Sequence, residues 1–246
     1  RHLKMKTLIV GAGVVGITTA YYLKADGHEV TVLEREKSAG LETSFANAGL
    51  IATGHAFAWG NPSIIKKLIT PKSNAHSAFK LQWSWDLQFL KWGMKFIANC
   101  TSSRFYKNTL AKQTLCQYSH QLLKYILKKE KINCNYNNSG LLYLHQTKPS
   151  LREAESKLKS FPDLISEYKI LDSEELIHFD PFYAKSYVHY SGAIFCPGDA
   201  SGDCYAFSRD LTIICRDKGV EFLFNTAINN FLVENNRVKL IQTDQG

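Results

Sequence analysis

The chain has 246 residues, 45% of them hydrophobic and 21% charged, and a formal net charge of +8. That length and apolar content allow a substantial buried core, as one large domain or two interleaved ones. The basic residues run along helices, as at Lys124, Lys128, Lys129 and Lys131, without a dense block. The charge therefore argues against nucleic-acid binding and leaves attraction to an anionic membrane surface open. Six cysteines (100, 116, 134, 196, 204 and 215) form no CxxC pair and no ligand spacing with histidine. They read as reduced cysteines of a cytosolic protein, and no metal site is expected. No apolar run approaches the roughly 18 residues of a spanning helix, and the basic start "RHLKMK" has no signal-peptide core behind it. Arg1 to Lys4 precede Met5 and are set outside the fold.

The first element is a short apolar strand, Leu8, Ile9 and Val10, expected to be buried. "GAGVVG" follows. Gly11 allows a tight turn, Ala12 continues it, and Gly13 lets the backbone approach a pyrophosphate. Val14 and Val15 open a helix, and Gly16 lets that helix pack close to the strand. The first-turn amides and the positive dipole end of the helix face an anion. Ala20 and Leu23 lie inward, Gly27 ends the helix, and Val30, Val32 and Leu33 alternate in a second, parallel strand. Glu34 stands about 20 residues past the glycines, where an acid pairs with ribose hydroxyls and repels a 2′-phosphate. Arg35 follows it. These features agree with one another on a dinucleotide-binding Rossmann unit, and they do not separate NAD from FAD.

Next comes "ETSFANAG", small and polar. Residues 52 to 75 lack periodicity and carry Pro62 and Pro71, which suggests an irregular excursion. From Leu81 an amphipathic helix is expected, with Trp85, Phe89, Trp92 and Phe96 in one stripe beside Trp83, Leu87, Leu90 and Met94. It reads as core-facing, with a membrane-surface helix as the alternative. A longer helix follows, with Ala111, Leu115, Tyr118, Leu122, Tyr125 and Ile126 as its inner face. "GLLYLHQ" is a strand. Ser150 with Glu153, and Asp172 with Glu175, have capping-box spacing. "YVHYSGAIF" is a strand, and "GDCYAFSRDLTIICRDKG" is a helix with Phe207, Leu211, Ile214 and Cys215 inward. "VEFLFNTAI" is a strand, and "FLVENNRVKLIQT" is a hairpin turning at Asn235 and Asn236.

"GITTAYYLKADGHEVTVLER", "LETSFANAG", "NCTSSRFYKN", "PGDASGDCYAF" and "GVEFLFNTAI" together resemble, in order, phrases of the D-amino acid oxidase family of flavoproteins, in particular its bacterial D-amino acid dehydrogenase small-subunit type. The resemblance runs from Met5 over essentially the whole chain. It implies an α/β architecture: a Rossmann-like FAD-binding domain in two parts, 5–52 and 196–246, with an inserted α+β substrate domain, 53–195, and C-terminal truncation. It implies FAD as cofactor, with Val10 to Gly16, Glu34 and Arg35 around the ADP half and Ile228 beside the adenine. Ser44, Asn47, Ala48 and Gly49 would lie against the isoalloxazine, where bulk would occupy the ring's place.

The implied reaction is oxidation of a D-amino acid to a 2-oxo acid and ammonia, with hydride passing from Cα to flavin N5. Electrons would pass to a respiratory-chain or quinone acceptor, with the protein cytoplasmic or peripheral on the inner face of the bacterial membrane. No acid–base pair is required if the amine binds neutral, so no catalytic residue is nominated. His55 and Tyr190 are candidates for the substrate pocket, although His55 stands where such enzymes more often carry tyrosine. The carboxylate-binding arginine is expected beyond Gly246, so this chain alone is not expected to turn over. The alternatives are a glycine- or sarcosine-oxidase type of enzyme and a non-catalytic flavoprotein fragment.

Overall fold

A computed structural model describes residues 4–69, 86–162 and 167–245. In chain order its elements are β1 (Lys6–Val10), α1 (Val14–Ala25), β2 (Glu29–Leu33), β3 (Leu50–Ile51), α2 (Pro62–Ile69), α3 (Leu87–Ala98), α4 (Ser102–Glu130), β4 (Leu141–His145), α5 (Lys148–Lys159), β5 (Lys169–Asp172), α6 (Ser173–Phe179), β6 (Gly192–Cys196), β7 (Ala200–Ser201), α7 (Cys204–Asp217), β8 (Glu221–Leu223), β9 (Ile228–Glu234) and β10 (Arg237–Thr243). They form two compact units. The first is Arg1–Ile51, Leu122–Asn138 and Ala200–Gly246; the second is Ala52–Gln121 and Ser139–Asp199. Leu122–Asn138, expected within the inserted domain, thus belongs with the nucleotide-binding segments, because the end of α4 packs on their core.

In the first unit β1, β2 and β8 form a parallel sheet in that order. Ile17, Ala20 and Tyr21 of α1, Val30 and Val32 of β2, Ile126 of α4, and Phe207, Leu211 and Cys215 of α7 make a continuous core. The Tyr21 hydroxyl donates to Glu130 Oε1 at 2.6 Å, which ties α1 to the end of α4. The β9–β10 hairpin is antiparallel and turns at Asn235 and Asn236, both left-handed (φ 51° and 59°), as a two-residue hairpin turn requires. Leu8 and Val10, expected to be buried, are 43% and 57% exposed. β1 lies at the sheet edge, with β2 its one neighbour among the described strands.

In the second unit β4, β6 and β5 form an antiparallel sheet with β6 central. Leu158 and Phe161 pack on Ile194 and Cys196. Asp172 and Glu175 form the reciprocal capping box of α6. α5 instead starts at Thr147, whose side chain accepts the Ser150 amide, so Ser150 is not the cap; Glu153 pairs with Lys157 at 2.8 Å. α2 occupies part of the segment read as irregular, and Pro62 is suited to a first turn, where its missing N–H costs nothing. The strand read over 187–195 starts only at Gly192, as β6, and the strand read over 220–228 stops at Leu223, as β8, with Ile228 instead heading β9.

Two helices bury less of their apolar pattern than expected. None of α3's side chains is buried, so it is not core-facing; Leu81, Trp83 and Trp85, assigned to the same helix, lie outside the described residues. On α4, Ile126 is buried as expected, but Leu115, Tyr118 and Tyr125 are exposed, and Thr109, Gln113 and His120 are buried in their place. The buried stripe is polar because it serves the irregular segment beside it. Thr109 Oγ1 accepts the Ala58 amide at 3.1 Å, Gln113 donates to the Thr53 carbonyl at 3.1 Å, and Lys112 donates to the Phe57 carbonyl at 3.0 Å. Backbone groups without a ladder need such partners when buried.

Candidate cofactor cradle and a histidine-lined cleft

The first unit presents the β1–α1 turn as a cradle. Gly11 sits at φ +94°, and its amide donates to the Leu33 carbonyl at 2.7 Å. A Cβ on Gly16 would lie 1.9 Å from the Gly11 carbonyl oxygen, so only glycine lets α1 close this tightly on the turn. Gly13 precedes α1 in an extended conformation without a capping side chain of its own. The Ser44 hydroxyl instead accepts the Val14 amide at 3.0 Å. The first turn of a helix has amides with no carbonyl a turn earlier to bind, and Val15 lies exposed at this end.

Glu34 closes the turn from below. Its Oε2 accepts the Ala12 amide at 2.6 Å and its Oε1 accepts the Glu36 amide at 2.9 Å, in a nearly buried position. Each oxygen keeps a further lone pair for a hydroxyl donor. The backbone of Glu34 also bonds Leu223 and Thr226, which sets the segment leading to Ile228 beside the turn. Ile228 heads β9, opposite Thr243. Arg35 lies exposed and ion-paired with Glu42, a contact that holds the Glu42 carboxyl below its ordinary range.

The "ETSFANAG" residues are brought together around one cavity. Ser44, Phe45, Asn47, Ala48 and Gly49 line a space of about 440 Å³ with Asn135 and Ser201 to Cys204. Asn47 Oδ1 accepts the Gly49 amide at 2.8 Å, so this side chain shapes its own loop. Gly49 has φ +62°, and a Cβ there would meet the Gly202 carbonyl oxygen at 2.6 Å. The β3–β7 pair and the Gly202 amide to Gly49 carbonyl bond of 2.9 Å hold this wall against "ASGDC".

The second unit contains His55 but not as an exposed loop residue. It stacks on Tyr143 at 4.1 Å and 17°, and borders a cleft of about 280 Å³ with Phe57, Phe105, His145 and Lys157. Burial pushes the His55 and His145 imidazoles below their ordinary value, though the Asp199 charge partly opposes this at His55. His55 Nδ1 and His145 Nε2 are buried without a protein partner. Behind them lies a group the sequence did not single out. Asp199 is fully buried and accepts the Gly54 amide at 2.6 Å, the Thr53 hydroxyl at 3.1 Å and the Tyr143 hydroxyl at 2.8 Å. Burial, reinforced by Asp199, raises the Tyr143 phenol above its ordinary value. Tyr190 packs edge-on against Tyr183 at 5.8 Å and lines neither cavity, so it does not join His55. "PGDASGDC" already contained Asp199, but a lone aspartate before a small-residue turn carries no sign that its carboxylate will be buried.

Residues 6–246 match the family of FAD-dependent oxidoreductases known as DAO. The chain belongs to that family. It is 32% identical over 242 residues to the D-amino acid dehydrogenase of Vibrio vulnificus (strain YJ016), covering 98% of this chain and 58% of that protein. It is 34% identical over the same length to D-amino acid dehydrogenase 1 of Mesorhizobium japonicum, also covering 58% of it. The chain therefore spans less than two thirds of the relatives it matches. Among solved structures, glycine oxidase from Geobacillus kaustophilus superposes with a TM-score of 0.67 at 17% identity, over 99% of this chain and 53% of that one. L-alpha-glycerophosphate oxidase from Mycoplasma pneumoniae, solved with FAD bound, gives 0.60 at 20% identity, over 99% and 51%. These likenesses establish the α/β FAD-binding fold.

Proposed function

We propose that this chain carries the FAD-binding part, and a portion of the substrate-binding part, of an enzyme that oxidatively deaminates D-amino acids. The relatives named D-amino acid dehydrogenase, matched along 98% of the chain, carry the reading of the reaction. The Glu34–Ala12 contact supports the reading of the cofactor, since it fixes a carboxylate beside the glycine turn with lone pairs to spare. Residues Val10 to Gly16 would hold the pyrophosphate through first-turn amides, a site that welcomes negative charge. Glu34 would take the ribose hydroxyls with Arg35 nearby, and Ile228 would serve the adenine. Ser44, Asn47, Ala48 and Gly49 would keep the isoalloxazine place free of bulk. The FAD-binding part would then run over 5–51, 122–138 and 200–246, and 52–121 with 139–199 would form the substrate part, so Cys196 to Asp199, expected in the FAD-binding part, go with the substrate part.

When bound, FAD supplies the acceptor for the hydride equivalent leaving the substrate Cα. Water then converts the released imine to the 2-oxo acid and ammonia. The electrons would pass to a respiratory acceptor such as a quinone, at the inner face of a bacterial membrane. His55, with a neutral imidazole, is suited to a substrate pocket as a hydrogen-bonding wall; Tyr190 is the weaker candidate because it faces Tyr183. Titration of the purified chain with FAD tests the cofactor reading by retention through gel filtration, and failure to retain FAD overturns it. Anaerobic bleaching of the flavin band by D-alanine tests the reaction. Bleaching by glycine, with peroxide release in air, would favour the oxidase alternative instead.

A further inference from the structure

The basic excess is not evenly distributed. Between Thr43 and Lys129 the sequence has twelve Lys and Arg against one acid, Asp86, a local charge of +11; the remainder carries −3 of the total of +8. α3 lies in the middle of that stretch and is apolar on two sides. Phe89, Trp92 and Phe96 stack in a ladder along one side, at 5.9 and 5.4 Å, with Phe89 and Phe96 half-buried. Leu87, Leu90, Met94 and Ile97 form the other side at i, i+3, i+7 and i+10, and are 71, 40, 65 and 53% exposed. Lys91 and Lys95 flank this exposed stripe, and Arg104 and Lys107 follow, exposed, on the first turns of α4. No acidic residue lies within α3 or the following helix before Glu130.

We propose that the Leu87–Leu90–Met94–Ile97 face of α3 is a docking surface for an anionic lipid bilayer, with the helix lying in the plane of the interface. A helix that leaves four large apolar side chains in water at helical spacing, edged by cations and free of carboxylates, matches the chemistry of such a surface on both counts. Apolar side chains enter the acyl boundary, and the lysine stems snorkel so that their ammonium groups reach phosphates. No described helix is long and apolar enough to cross a membrane, so the contact is peripheral as far as these residues go. The inference stands on the surface alone and does not depend on the reaction proposed above.

Flotation of the purified, FAD-supplemented chain with vesicles of phosphatidylcholine alone, or of phosphatidylcholine with a quarter phosphatidylglycerol, tests it. Binding is expected to the anionic vesicles, at least tenfold weaker to the neutral ones, and weakened by added salt. Lys91→Gln with Lys95→Gln should lower partitioning about 30-fold, the change that about 1 kcal/mol per cation represents. Leu87→Glu with Met94→Glu should abolish it while leaving FAD retention unchanged, which shows that the variant is folded. Equal binding to both vesicle types, or full binding by the Leu87/Met94 variant, overturns the proposal. So does a chain that ignores vesicles but forms dimers which that variant dissolves, because the face would then belong to a second copy.

Discussion

The Glu34 carboxylate and the Ala12 amide meet at 2.6 Å, so the acid at the end of β2 holds the glycine turn before any nucleotide arrives. Glu34→Ala should therefore do two things. It should weaken FAD binding at least tenfold, and it should lower the stability of the FAD-free protein by about 1.5–3 kcal/mol, the worth of a charge-assisted bond in a nearly buried place. Urea unfolding without FAD reads the second effect, and equilibrium dialysis reads the first. A stability loss with unchanged FAD affinity would confine Glu34 to the loop.

Gly16→Ala places a methyl group 1.9 Å from the Gly11 carbonyl, and Gly49→Ala one 2.6 Å from the Gly202 carbonyl at φ +62°. Both contacts are with backbone, which cannot swing aside. Each substitution should cost about 1–3 kcal/mol or more, seen as a lower Tm. Gly93→Ala is the control: nothing lies within 4 Å of its Cβ and the position is inside α3, so it should stabilise by about 0.5–1 kcal/mol.

Asn47→Leu should crowd the place assigned to the isoalloxazine, and it also removes the acceptor of the Gly49 amide. Flavin fluorescence should shift while AMP, as a probe of the adenine half, binds as before. Unmoved flavin fluorescence in a variant that retains FAD would detach "ETSFANAG" from the ring.

Tyr143→Phe removes one of three donors to the buried Asp199 and should cost about 1–3 kcal/mol. Asp199→Asn should cost more, since an amide presents hydrogens where donors already point. Chemical denaturation of the two variants checks the order.

His55 and His145 are both held below the ordinary imidazole value, mainly by burial. The folded state then binds fewer protons than the unfolded one. Stability is full above about pH 6.5 and is lost as pH falls below it, with a slope of up to about 1.4 kcal/mol per pH unit per histidine. Tm measured from pH 7.5 to 5.0 should fall at the acid end, and His55→Gln with His145→Gln should flatten that limb. A limb of unchanged steepness in the variant would remove both residues as its source.

The nucleotide turn was legible because chain-local rules set it: Gly11, Gly16, Gly27 and Glu34 all act within one strand–helix–strand unit. The hairpin at Asn235 and the Asp172–Glu175 box were legible for the same reason. What sequence periodicity misjudged was orientation. Leu115 and Tyr118 looked like a core stripe, yet the face that turned inward was the one bearing Thr109 and Gln113, because an irregular neighbour needed donors and acceptors. The Asp199–Tyr143–His55 assembly draws on three distant segments, and no window along the chain contains it. Leu8 and Val10 read as core because their strand is apolar, but an edge position depends on strand order.

The pairing of β2 with β8 also sets a timetable. Thr31 and Glu221, joined at 2.9 Å across the parallel ladder, are 190 residues apart. Loop closure over that span is slow to be rewarded. At about 5–20 residues per second of synthesis, β2 waits on the order of 10–40 s with one row of amides and carbonyls unmatched. During that interval Thr31, Val32 and Leu33 present an open edge that another strand could pair with.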